Sequence, residues 1–98
     1  MIIPYAEARI SIPAGHPAMP GHFPGRPIVP GVMLLDAVMQ AIAAQPGAKP
    51  PERLLRAKFV APVPPDTEVT IQLIQRTEGN IAFTCHCQGR VALRGEFG

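Results

Sequence analysis

Residues 31 to 45 are the one stretch of this chain that can sustain a long helix, and its apolar side chains point in nearly every direction. Val32, Met33, Leu34, Leu35, Val38, Met39 and Ile42 leave only a narrow polar strip, made by Asp36 and Gln40. A helix that is apolar on most faces has to be buried on most faces. The rest of the chain is therefore expected to wrap it. Gly31 begins the helix and Gln45-Pro46-Gly47 ends it, which predicts about fourteen residues and a length of about 21 Å.

The wrapping material follows the linker at 46–51, where the apolar period changes from helical to alternating. Leu55, Ala57 and Phe59 oppose Arg56 and Lys58. Val69, Ile71 and Leu73 oppose Thr70 and Gln72. Ile81, Phe83, Cys85 and Cys87 oppose Thr84, His86 and Gln88, and a short last strand runs through Val91 and Leu93. Before the helix, Ala8, Ile10 and Ile12 alternate with Arg9 and Ser11 in a first strand within residues 5 to 12. Turns fall at Pro62-Val63-Pro64-Pro65-Asp66, at Glu78-Gly79-Asn80 and at Gln88-Gly89-Arg90, which predicts an antiparallel meander. The expectation is an α+β fold: an antiparallel sheet of about five strands curled around one apolar helix.

At 98 residues the chain is read as one domain spanning 1–98, near the size where a single core becomes marginal, so dimerisation would help it. Nine Lys and Arg stand against seven Asp and Glu, a net charge of +2 with no basic run or aromatic interleaving, which argues against a nucleic-acid partner. Cys85 and Cys87 lie on one strand face, too close along the chain for an easy mutual disulfide, and a reducing cytoplasm fits them. The N-terminus lacks the pattern of a targeting segment, and the apolar helix is shorter than a bilayer crossing and interrupted by Asp36. The expectation is a soluble cytoplasmic protein without a membrane span.

Residues 13–31 hold the chemistry. Pro24, Pro27 and Pro30 fix φ, while Gly25 and Gly31 permit close backbone approaches, so His22 sits on a stiff loop that leads into a helix N-terminus. Free N–H groups and the positive end of the helix dipole there can stabilise a developing oxyanion, and Gly31 has no side chain in the way. Asp36 with Gln40 one turn on reads in two ways. They form a solvent-facing strip, or Asp36 is a buried carboxyl held protonated as a donor, with Gln40 orienting it. His16 and His86 read as structural or surface residues. A metal site from Cys85, His86, Cys87 and a loop histidine is disfavoured, because neighbouring strand residues point to opposite faces and no paired ligand spacing occurs.

The stretch from Gly21 through His22-Phe23-Pro24-Gly25-Arg26-Pro27-Ile28-Val29-Pro30-Gly31-Val32 to Asp36 and Gln40 closely resembles the active-site segment of the 3-hydroxyacyl-[acyl-carrier-protein] dehydratases of the FabA/FabZ type. The similarity continues more weakly through Ala57-Lys58-Phe59-Val60-Ala61-Pro62-Val63. It implies the hotdog fold and a homodimer whose sheets join edge to edge, with an active-site tunnel between the subunits. His22 would be the catalytic histidine and Asp36 the acid, each facing the other across the interface. Gly31 and Val32 would be the oxyanion and substrate-binding positions. The Ile28 carbonyl would orient the imidazole, Gln40 would hold the Asp36 carboxyl, and Phe23 would support the site.

The implied reaction is dehydration of a 3-hydroxyacyl group, carried on the phosphopantetheine of an acyl carrier protein, to the trans-2-enoyl thioester in fatty acid or specialised acyl synthesis. No metal or organic cofactor is implied. Asp rather than Glu at position 36 matches the branch that also isomerises the double bond, whereas Arg26 to Val32 look more like the dehydratase-only branch. Ala18, Met19 and Pro20 replace the aromatic residues that commonly precede the Gly-His pair. A hotdog thioesterase and a non-catalytic acyl-binding subunit are the competing readings, since one fold hosts all three. Arg53, Arg56 and Lys58 would meet an acidic carrier protein or simply form a solvated strand face.

Overall fold

The structure is a computed structural model that describes residues 5–15, 28–76 and 79–98. Its elements are β1 (Ala6–Ile10), α1 (Gly31–Ala43), β2 (Leu54–Phe59), β3 (Val69–Gln75), β4 (Ile81–Cys87) and β5 (Arg90–Phe97). One five-stranded antiparallel sheet carries them in the order β1-β3-β4-β5-β2, with α1 against one face. This is the α+β arrangement expected.

The alternation in β3 and β4 works as read. Val69, Ile71 and Leu73 are buried, as are Ile81, Phe83, Cys85 and Cys87, and they meet Leu34, Val38, Ala41 and Ile42 of α1. Those four helical positions follow i, i+4, i+7 and i+8, so they form one stripe facing the sheet. Phe83 and Phe97 pack with ring centroids 5.2 Å apart. Each fully buried side chain of this size contributes about 1.5–3 kcal/mol.

Three expectations change. The sheet is a meander only through β3, β4 and β5, because β2 lies beside β5 at the far edge. The long connection after β2 makes this possible. Val60 and Ala61 donate to the Ala92 carbonyl at 2.8 and 3.2 Å, Val63 accepts from Val29 at 2.8 Å, and Asp66 donates to Ile12 at 2.8 Å. The segment thus crosses from β5 to the end of β1, where β3 begins.

The second change concerns β2, whose Leu55 and Phe59 were expected in the core. Leu55 is 41% exposed and Phe59 55% exposed. An edge strand is only partly covered by α1, and a register shift between Leu54 and Arg56 leaves Leu55 unpaired as a bulge. A second bulge in β5 sets His86 against Val91 and Cys85 against Leu93, so Ala92 is the extra residue. Both Ala92 and Leu93 are therefore buried, and the strand extends to Phe97 rather than stopping near Leu93.

The third change is the helix. It ends at Ala43, and the sheet covers one side of it only: Val32 is 71% and Met39 41% exposed, with Asp36 and Gln40 exposed between and beside them. A single sheet layer reaches one stripe of a helix. Among the described residues, nothing covers the opposite stripe. Among the described residues, no helix is long and apolar enough to cross a membrane.

Candidate active site

The start of α1 is built by proline. Pro30 has φ −57° and ψ 137°, an extended entry that proline favours, and it gives the helix no side-chain cap. Val29 is tied to Val63 by the 2.8 Å backbone bond, and the Pro30 carbonyl takes the Met33 N–H at 3.0 Å. Among the described residues, the Gly31 and Val32 N–H groups have no acceptor. They are the unsatisfied donors that make a helix N-terminus electropositive.

At Gly31 the helix start comes close to the Phe59 ring, an approach the sequence did not reveal. A Cβ at this position would lie 2.8 Å from Cζ and 3.0 Å from Cδ1 of the Phe59 ring. The end of β2 therefore closes on the helix start. An open hollow of about 350 Å³ lies there, lined by Ile28, Val29, Pro30, Gly31, Phe59 and their neighbours in the 60–63 segment. Ile28 is half-buried at its rim.

Asp36 sits in the second turn, on the side of α1 away from the sheet. Gln40 Nε2 donates to Asp36 Oδ2 at 2.8 Å, as the one-turn spacing predicted. Asp36 occupies a ridge between two open grooves. One, of about 490 Å³, is shared with Ile10, Ser11 and Ile12 beside β1; the other, of about 380 Å³, with Leu54, Phe97 and Met39. Both are largely apolar. Among the described residues nothing buries Asp36, which there matches the solvent-facing reading.

His16, His22 and Phe23 lie outside the described residues. His86 projects from the opposite face of the sheet, where its Nε2 lies 3.1 Å from Gln72 Oε1, a structural role as read. Cys85 and Cys87 are free and buried on the core side, away from His86. Burial pushes the Cys85 thiol up to about 12; it also raises Cys87, with Arg90 pulling in the other direction. Neither is a nucleophile near neutrality. No three metal-ligating side chains converge among the described residues.

The model of the ApeI-like family, described as ApeI dehydratase, matches residues 4–96. The chain belongs to the ApeI-like dehydratase family. Curated relatives include the 3-hydroxyacyl-[acyl-carrier-protein] dehydratase FabZ of Agrobacterium fabrum, 32% identical over 90 residues, covering 83% of this chain and 58% of that protein. FabZ of Haemophilus influenzae is 35% identical over 91 residues, covering 82% and 62%. The chain spans about three-fifths of the length of these curated relatives. Among solved structures, the dehydratase heterocomplex ApeI:P from Xenorhabdus doucetiae superimposes with a TM-score of 0.80 at 22% identity, over 95% of this chain and 84% of that one. An uncharacterised protein from Erwinia carotovora subsp. atroseptica gives 0.80 at 24% identity, over 95% and 80%. These likenesses establish the hotdog fold of the ApeI-like chain.

The sequence reading placed Gly31 at the start of α1 and Asp36 beside Gln40 on one side of it, where they lie. It missed Phe59 as the residue closing on Gly31, because alternation assigned that ring to the core. It also missed Arg76 and Arg94, which join Arg56 and Lys58 only once the strand order is known.

Proposed function

We propose that this chain dehydrates 3-hydroxyacyl thioesters presented by an acyl carrier protein, working as a homodimer in the cytoplasm. The observation that carries the reading is the 2.8 Å Gln40–Asp36 bond beside a helix start whose Gly31 and Val32 N–H groups have no acceptor among the described residues. A developing enolate oxygen needs such donors, and a departing hydroxide needs such an acid. Family membership supplies the reaction class.

In the proposed mechanism the Gly31 N–H, aided by Val32, polarises the thioester carbonyl. His22, oriented by the Ile28 carbonyl and supported by Phe23, removes the α-proton. The electron pair forms the new C–C π bond as the C–O bond at the β-carbon breaks. Asp36, held by Gln40, protonates the leaving hydroxide to water, and transfer of the proton from His22 back to Asp36 resets the site. The exposed apolar residues of α1 and of the β2 edge, Val32, Met39, Leu54 and Phe59, support a second copy covering this side. That copy would bring its own His22 to Asp36. The free buried thiols fit a reducing compartment.

The test follows enoyl absorbance and free thiol together on one 3-hydroxyacyl thioester. Enoyl without thiol is expected. Thiol without enoyl would assign a thioesterase, and neither signal at any chain length a binding subunit. His22→Ala and Asp36→Asn should each lower the rate by about 10²–10⁴. Mixed under conditions where subunits exchange, they should partly restore it; no recovery would rule out the shared site.

A further inference from the structure

The face of the sheet away from α1 carries a charge pattern that folding alone does not explain. Arg56, Lys58, Arg76 and Arg94 line one open concavity of about 410 Å³ together with Thr84 and Gly95. Glu96 is the acid there, and its charge is already engaged. Arg56 Nη2 lies 2.7 Å and Arg76 Nε 3.9 Å from its Oε1, and Asn80 Nδ2 donates to Oε2 at 3.1 Å. Four cations and one acid leave this concavity at +3, more than the +2 of the entire chain.

Lys58 and Arg94 are the exception within it. They are direct cross-strand partners of β2 and β5, and neither has an acidic partner among the described residues. Side chains so placed have Cβ atoms about 4.5–5.5 Å apart, and like charges there oppose folding. A pair that works against the fold and receives no counter-charge from it is suited to receive one from outside.

We propose that this face, centred on Lys58 and Arg94, is where the acyl carrier protein docks, through an acidic protein surface that sets carboxylates against the four cations. The inference rests on the dehydratase reading and adds the surface that its carrier would use. The concavity is open, so a lone small anion would stay hydrated and weakly held. An extended acidic surface meets all four cations at once. Lys58 also precedes Phe59, whose ring lies against Gly31. A carrier seated here stands beside the end of β2, where an acyl arm can turn toward the start of α1.

The experiment compares one 3-hydroxyacyl group on holo-carrier protein and on free pantetheine. In Lys58→Glu/Arg94→Glu, the ratio of kcat/KM on carrier to kcat/KM on pantetheine should fall by about tenfold or more, through KM, and its salt dependence should flatten. Lys49→Glu/Arg90→Glu makes the same charge change elsewhere and should leave the ratio intact. An unchanged ratio in the first variant, or an equal fall in the second, overturns the proposal. Lys58→Gln/Arg94→Gln should melt no lower than the parent; a marked loss of stability would make the pair structural and also overturn it. If the parent turns over neither substrate, the dehydratase reading fails separately. Titration of labelled holo-carrier then still decides, since binding that Lys58→Glu/Arg94→Glu does not weaken, or that inorganic phosphate alone matches, refutes the docking surface.

Discussion

Cys85 offers a quantitative test of how completely the sheet and α1 exclude water. It has no exposed surface, and burial pushes its thiol from 9.0 up to about 12. Between those values the unfolded chain releases the thiol proton while the folded chain keeps it. The unfolded state then binds fewer protons, so stability falls as pH rises. The loss begins near pH 9, continues toward pH 12, and amounts to about 1.4 kcal/mol per unit within that window. One unit in, at pH 10, the parent should have lost about 1.4 kcal/mol from this group alone. Urea unfolding at equal protein concentration, under reducing conditions, at pH 8 and pH 10 measures it against Cys85→Ala. The variant starts about 1–2 kcal/mol less stable, because the lost sulfur leaves a small void. The gap between the two should then narrow by about 1.4 kcal/mol at pH 10. Every other ionisable group is common to both proteins and cancels. A gap of the same size at both pH values would mean that the thiolate is solvated in the folded chain, and the account of the core would be wrong.

Gly95→Ala would set a Cβ against the Arg56 carbonyl oxygen and 2.7 Å from Phe83 Cζ, between two strands that cannot part. It should cost about 3 kcal/mol in thermal or urea unfolding. In the β4–β5 hairpin, Gln88 and Gly89 have φ of 52° and 78°, the signs of a type I′ turn. Asparagine tolerates the first of these better than glutamine, so Gln88→Asn should raise stability by up to about 1 kcal/mol, read as a higher melting temperature. Met39→Lys places a charge on the exposed side of α1. It should shift the protein toward monomer in sedimentation, whereas a size unchanged from the parent would remove this face from the proposed dimer.

What was legible in the sequence is what a strict period encodes. Val69, Ile71 and Leu73, and Ile81 through Cys87, announce a buried strand face because each second residue is apolar, and the structure buries them all. Asp36 and Gln40 announce each other by lying one helical turn apart. Strand order was not legible, because β2 reaches the far edge through backbone bonds from Val60 and Ala61 to Ala92 and from Asp66 to Ile12, which leave no mark in composition. Period alone also fails at a bulge. Leu55 and Ala92 each insert one residue, and the alternation beyond them changes face. The approach of Phe59 to Gly31 depends on both features together. His22, the base in the proposed mechanism, was read from its loop and lies outside the described residues.

The exposed acid and the exposed apolar residues of α1 are one problem rather than two. Val32 stands one turn before Asp36 and Met39 nearly one turn after it, on the same side of the helix. Any surface that covers both apolar side chains also covers the carboxyl between them and takes it out of water. A desolvated carboxyl must have a partner. Gln40 already provides one at 2.8 Å, so the acid enters such a contact oriented, and little further ordering is needed when the surfaces meet. The same cover would lower the dielectric around the Gly31 N–H, which has no acceptor among the described residues, and strengthen its pull on a carbonyl oxygen. In the proposed dimer, association driven by apolar contact is therefore what turns two solvated polar features into an acid and an oxyanion donor. A chain whose helix face stayed in water would keep this fold and have neither.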